Sequence, residues 1–173
     1  AGTVYEKIST LNPVFRPNGT VTAGNACPLN DGAAAVVIMS DTKAKALGLT
    51  PLARIVATGV SGLSPEIMGL GPIEAVKNAL GYAKMSVSDI DLFEINEAFA
   101  VQVLGSARAL GIDEDKLNVS GGAIALGHPF GMTGARITAT LLNNLATHDK
   151  TFGVETMCVG GGQGMAMVVE RLS

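Results

Sequence analysis

Asn118 to Arg136 reads NVSGGAIALGHPFGMTGAR, and this stretch decides the fold because it joins a short strand to a helix through a glycine-rich loop. Leu117 to Val119 is strand-like, and Ile137, Leu141, Leu142 and Leu145 keep a helical period from about Met132 to Leu145. Between them His128 sits among Gly121, Gly122, Gly127, Gly131 and Gly134. So much glycine gives up packing and backbone entropy, which is worthwhile where main chain must approach a ligand closely. The loop feeds a helix amino-terminus, whose free N–H groups can meet a polar or anionic group.

Outward from this unit the same alternation recurs. Leu52 to Gly59 reads as a strand, and Pro72 opens a helix with Ile73, Val76 and Leu80 on one face. Asp91 to Ile95 is the next strand; Asn96 ends it and can cap a helix running from Glu97 toward Leu110, with Gly111 as the stop. Thr151 to Val159 and Met165 to Glu170 are two strands joined by Gly160-Gly161-Gly162-Gln163-Gly164. That link is too short for a crossover helix, so the two pair antiparallel. The order βαβαβαββ predicts an α/β fold, a mixed, mostly parallel sheet with helices on both faces. Before it, residues 1–31 are rich in turn formers, Ala33 to Met39 is a continuous apolar run expected to be a buried strand, and a short helix capped at Ser40 or Asp41 stops at Gly48.

The chain has 173 residues, enough for one domain with a sizeable core. Only 16% of them are charged, against about 25% in typical soluble domains, and the mean hydropathy is positive. No apolar run reaches the length of a membrane span. The apolar excess is therefore expected to be covered by another subunit or by a further part of the protein. A net charge of −3 without a Lys/Arg cluster argues against nucleic acid or anionic membrane as the main partner. Two cysteines in unlike contexts make no disulfide framework and point to a reducing, cytoplasmic compartment.

Asn96 and His128 follow the second and third predicted strands and Cys158 lies at the end of the fourth, and the carboxyl ends of parallel strands line the edge where ligands bind. All three can therefore meet in one pocket. His128 alone could be a structural ring, but the surrounding glycines give an access that such a ring does not need. A neutral imidazole there can activate a thiol or donate to an oxyanion. Cys158 could be a small buried hydrophobe, yet it precedes Val159-Gly160-Gly161-Gly162, whose backbone amides can serve as oxyanion donors. His148, in a polar stretch, reads as solvated surface, and Cys27 as structural. The glycine runs match neither a dinucleotide fingerprint nor a P-loop, and no metal-ligand spacing is present.

Taken together, GGAIALGHP (121–129), NEAFA (96–100) and CVGGGQG (158–164) resemble the three carboxy-terminal signatures of the thiolases. TVTAGNA (20–26) with NDGAAA (30–35) resembles the segment closing their first half. The resemblance implies two similar βαβαβαββ halves, of which this chain would hold the second, residues 41–173, and a remnant of the first, residues 1–40, ending in the strand 33–39. It implies the interconversion of two acyl-CoA molecules with a 3-ketoacyl-CoA and CoA through an acyl-cysteine that belongs to the missing amino-terminal half. CoA thioesters would be the substrates, with no further cofactor and no metal, in a homodimer or homotetramer. By motif, Cys158 would be the acid/base at the α-carbon, and His128 would activate the nucleophile. A water on Asn96 would join His128 in one oxyanion hole, and the Gly160 N–H would serve the other. Met68 and Phe99 would line the acyl pocket. Cys27 stands where serine is common in the family. An acetyl-CoA acetyltransferase is the leading expectation. A longer-chain thiolase and a silent assembly module remain open, while a condensing enzyme of the ketoacyl-synthase type is more remote, since CVGGG (158–162) disfavours it.

Overall fold

The computed structural model describes residues 4–173; residues 1–3 of the expected amino-terminal remnant lie outside the described part. In chain order the elements are α1 (Tyr5–Ile8), α2 (Asp41–Ala46), β1 (Ala53–Gly62), a 3-10 segment (Pro65–Leu70), α3 (Gly71–Ala83), β2 (Leu92–Ile95), α4 (Ala100–Leu110), α5 (Ala123–Leu126), α6 (Phe130–Thr147), β3 (Phe152–Val159) and β4 (Gln163–Arg171).

Four strands form one sheet in the order β1-β4-β3-β2. β2 and β3 pair parallel, whereas β4 pairs antiparallel with both β3 and β1. The expectation of a mostly parallel sheet is therefore wrong: two of the three pairings are antiparallel. The cause is the place of β4. It returns from a tight hairpin and inserts between β3 and β1, so the one reversed strand lies inside the sheet and touches two neighbours. Its run Met165 to Val169 is apolar on both faces, which suits an interior strand. β1, β2 and β3 still point the same way. The expected strand at Leu117 to Val119 shrinks to a single parallel bridge between Phe93 and Leu117.

Helices cover both faces, as expected. Val76, Leu80, Val103 and Leu110 from α3 and α4 pack with Phe93, Ile95, Val154 and Val168. On the other face Leu141 and Leu145 of α6 pack against Leu92 and Val169. Alternate side chains of each strand supply the two cores. α3 lies so close on β1 that a Cβ at Gly59 would come within 2.3 Å of the Ala75 carbonyl oxygen. Only glycine allows that approach.

The expected strand at Ala33 to Met39 does not form. The segment has no regular structure and is exposed, with Val37 at 85% and Ile38 at 73%. A strand needs a hydrogen-bonded neighbour, and none of the four sheet strands pairs with it. Its exposure leaves an apolar surface of the kind that the low charge content predicted.

Candidate active site

β1, β2 and β3 end on one edge of the sheet, and α6 runs back along β3 so that its amino-terminus reaches the same edge. The antiparallel course of α6 is fixed by three contacts in sequence: Gly134 against Met157, Thr138 Oγ1 donating to Glu155 at 2.9 Å, and Leu141 against Gly153. His128, just before α6, is thereby brought to the edge where β3 ends in Cys158. Asn96 follows β2 directly, and its N–H donates to the Thr156 carbonyl at 3.0 Å. Gly160, with φ of 57°, forms the exposed hairpin tip after Cys158. Met68 lies in the 3-10 segment after β1, where Leu63 N–H donates to Gly162 O at 2.8 Å. Phe99 starts α4, edge-on to Phe15 with centroids 5.9 Å apart. All six sequence-derived residues therefore follow, or lead into, elements that meet at this edge.

Asn96 is not a helix cap. The cap position of α4 is Phe99, without a side-chain bond, and Asn96 is 1% exposed. Its Oδ1 instead accepts from Arg136 Nη2 at 3.4 Å, and its Nδ2 is buried without a hydrogen-bond partner.

The half-buried His128 ring is held by Thr133. Nδ1 is 2.6 Å from Thr133 Oγ1, and that hydroxyl donates its proton to the Pro129 carbonyl at 3.0 Å. The oxygen can then only accept from the ring, so Nδ1 carries the hydrogen and Nε2 holds the lone pair of the neutral form. Partial burial, then the positive charge of Arg136, hold His128 below its ordinary pKa. The loop itself is pinned twice. Glu97 accepts from Ile124 N–H at 3.0 Å and from Asn118 Nδ2 at 3.1 Å, while Asn30 Nδ2 donates to Leu126 O at 3.2 Å. Gly127, at φ of 97°, leaves no room for a side chain, since a Cβ would overlap the Asn30 carboxamide.

Cys158 is 7% exposed, and burial pushes its thiol above the ordinary value. It is a protonated thiol at neutral pH, able to give a proton and then to act as a strong base. A cavity of about 280 Å³ opens nearby, lined among others by Glu97, Leu104, Asn118 and Ile124; neither His128 nor Cys158 lines it. Among the described residues no cluster of His, Cys, Asp and Glu is arranged to hold a metal, and no helix is long and apolar enough to cross a membrane.

Sequence reasoning missed the buried charges beneath this edge. Glu94 on β2 and Glu155 on β3 are 2% and 8% exposed, facing α6, where Asn144, Thr138 and Arg136 meet them. Their only signal is an acid inside each apolar strand, LFEI and GVETMCV. Burial pushes both carboxyls up to about 7, against about 4.3 for an unfolded Glu. Between those values the folded chain binds more protons than the unfolded one, so stability should fall as pH rises through this window. His128, lowered in the fold, opposes this with a single proton just below its ordinary pKa. Chemical denaturation should therefore show stability dropping toward neutral pH, by on the order of 4 kcal/mol per carboxyl at most. Glu94→Gln with Glu155→Gln should flatten the slope; an unchanged slope would contradict the assignment.

The family description "Thiolase, C-terminal domain" matches residues 49–171, and "Thiolase, N-terminal domain" matches residues 1–42. The chain is 54% identical over 173 residues to the acetyl-CoA acetyltransferase of Escherichia coli (strain K12), covering 100% of this chain and 44% of that protein. It is 52% identical over 168 residues to the 3-ketoacyl-CoA thiolase of Bacillus subtilis (strain 168), covering 97% and 43%. Among solved structures, Bacillus anthracis acetyl-CoA acetyltransferase superposes with a TM-score of 0.96 at 49% identity, over 99% of this chain and 44% of that one. Human mitochondrial 3-ketoacyl-CoA thiolase in complex with CoA gives 0.92 at 48%, over 99% and 43%. The chain thus spans less than half the length of the relatives it matches. With a carboxy-terminal thiolase domain over most of its residues, and the fold to go with it, this chain belongs to the thiolase family.

Proposed function

We propose that the protein carrying this chain interconverts two acetyl-CoA with acetoacetyl-CoA and CoA, and that this chain supplies the acid/base half of the site. The convergence of Cys158, His128 and Asn96 at one sheet edge is the observation that carries the reading. The nucleophilic cysteine belongs to the part of the relatives' length that this chain does not span. Residues 1–40 close that first half and 41–173 form the second, and the exposed run 33–39 gains its cover there.

In condensation, His128 Nε2 takes the proton of the nucleophilic thiol, whose thiolate attacks the acetyl-CoA carbonyl. The C–S bond to CoA breaks, and Cys158 gives its proton to the departing thiolate. The Cys158 thiolate then removes the α-proton of a second acetyl-CoA. The resulting carbanion attacks the acyl-enzyme carbonyl, a C–C bond forms, and the enzyme thiolate leaves and recovers its proton from His128. Protons and bonds return to the starting state.

Each negative oxygen needs fixed donors. Protonated His128 and a water on Asn96 serve one, and the Gly160 N–H the other. Met68 and Phe99 bound the acyl group. The reaction draws on CoA thioesters alone, with no added cofactor. A cytoplasmic homodimer or homotetramer fits the cysteine content and the exposed apolar surface.

The test is a chimera in which this chain replaces the matched 44% of the Escherichia coli acetyl-CoA acetyltransferase. The chimera should cleave acetoacetyl-CoA, and the isolated chain should neither cleave it nor become acylated. An inactive, well-folded chimera would contradict the proposal. A preference of the chimera for longer 3-ketoacyl-CoA would move the assignment to the longer-chain thiolases.

A further inference from the structure

Arg136 stands on the second turn of α6 with its side chain 12% exposed, and it takes no part in the proton transfers above. Three carboxylates surround it: Glu94 from β2, with Oε2 4.0 Å from Nη1, Glu97 from the loop after β2, and Glu155 from β3. Its charge also reaches His128, from the loop before α6. Its one side-chain hydrogen bond among the described residues goes from Nη2 to Asn96 Oδ1 at 3.4 Å. Nε and Nη1 are buried without hydrogen-bond partners.

A guanidinium can only donate, so the end of the Asn96 carboxamide that faces it must be the oxygen. This settles the orientation of the amide: Nδ2 points the other way, where it is buried and without a partner. A buried, unpaired N–H₂ costs free energy unless something accepts from it.

We propose that Arg136 is a positioning residue for the reaction assigned above, locking the Asn96 carboxamide with Nδ2 turned away from the guanidinium and holding a fixed positive charge near His128. A water accepting from Nδ2 keeps both of its own hydrogens free, and so can donate to the substrate oxygen. With the amide reversed, that water would have to spend a hydrogen on Oδ1. Glu94, Glu97 and Glu155 hold Arg136 in place, and its charge adds to partial burial in favouring the neutral imidazole, ready to take a proton. The inference rests on the thiolase reading, but it makes separate predictions.

The variants belong in the chimera. Arg136→Met removes donor and charge at similar volume; Arg136→Lys keeps the charge and loses the fork. Arg136→Met should lower kcat by about tenfold or more, the scale of one charge-assisted hydrogen bond, with KM little changed. It should also raise the His128 pKa, read by imidazole NMR and by the acidic limb of the pH profile. Arg136→Lys should leave that limb in place while kcat still falls. In an Asn96→Ala background, Arg136→Met should cost little further kcat.

A full additional loss in that background, or an unmoved His128 pKa in Arg136→Met, would overturn the proposal. So would a loss that tracks only the folded fraction. If Arg136→Met does not fold, Arg136→Lys alone decides through its kcat and its unshifted limb. Retained activity in Asn96→Ala would count against the role given to Asn96 in the reaction, while the NMR result would still judge the charge effect of Arg136.

Discussion

Cys158→Ala in the chimera should lower acetoacetyl-CoA turnover by about 10³-fold, within the range for losing a positioned acid/base. Two features argue for so large a loss. The thiol is buried at the end of β3, and burial keeps it protonated near neutrality. It can therefore protonate a departing CoA thiolate and then stand as a base stronger than water. Alanine fills the site with little packing change, so the folded yield should hold. Steady-state assay alongside thermal unfolding checks this; unchanged turnover removes Cys158 from the chemistry.

His128→Ala should lower turnover by a similar factor, by a different route. Thr133 fixes the ring with Nδ1 protonated, which leaves Nε2 free to receive the nucleophile's proton in the proposed reaction. Without it the thiol stays protonated, and the covalent acyl-enzyme should fail to form. Mass spectrometry of the chimera after mixing with acetyl-CoA gives the readout. Acylation at the parental rate in His128→Ala would rule out activation of the nucleophile by this ring.

The hairpin was legible because Gly160 to Gly164 is too short for a crossover, and the crossovers linking β1, β2 and β3 because helices separate these strands in the sequence. The shared direction of β1, β2 and β3 was legible for the same reason. Their neighbours were not. Local pattern says which way a strand runs, but which strand lies beside it is decided by where β4 fits. The apolar run Met165 to Val169 was the hint that β4 lies inside the sheet. Ala33 to Met39 has strand composition, yet composition cannot provide a partner, and none of the sheet strands pairs with it.

The places of His128 and Cys158 at the sheet edge were legible because each lies beside a glycine-rich turn that follows or ends a strand. In the sequence Asn96 reads first as a cap, since an Asn after a strand and before a helix usually is one. The helix starts four residues later, at Ala100, and frees that side chain for Arg136. Thr133, Glu97 and the Glu94, Glu155 and Arg136 cluster depend on elements far apart in sequence meeting in space. No spacing along the chain announces such a meeting.

The most direct measurement is hydrogen exchange at the α-carbon of acetyl-CoA in D₂O, followed by NMR. With the parental chimera, deuterium should enter the methyl group. With Cys158→Ala, the acetyl-enzyme should still form while deuterium entry stops. Deuterium entry at the parental rate in that variant would contradict the account, because the α-proton would then be leaving to some other base.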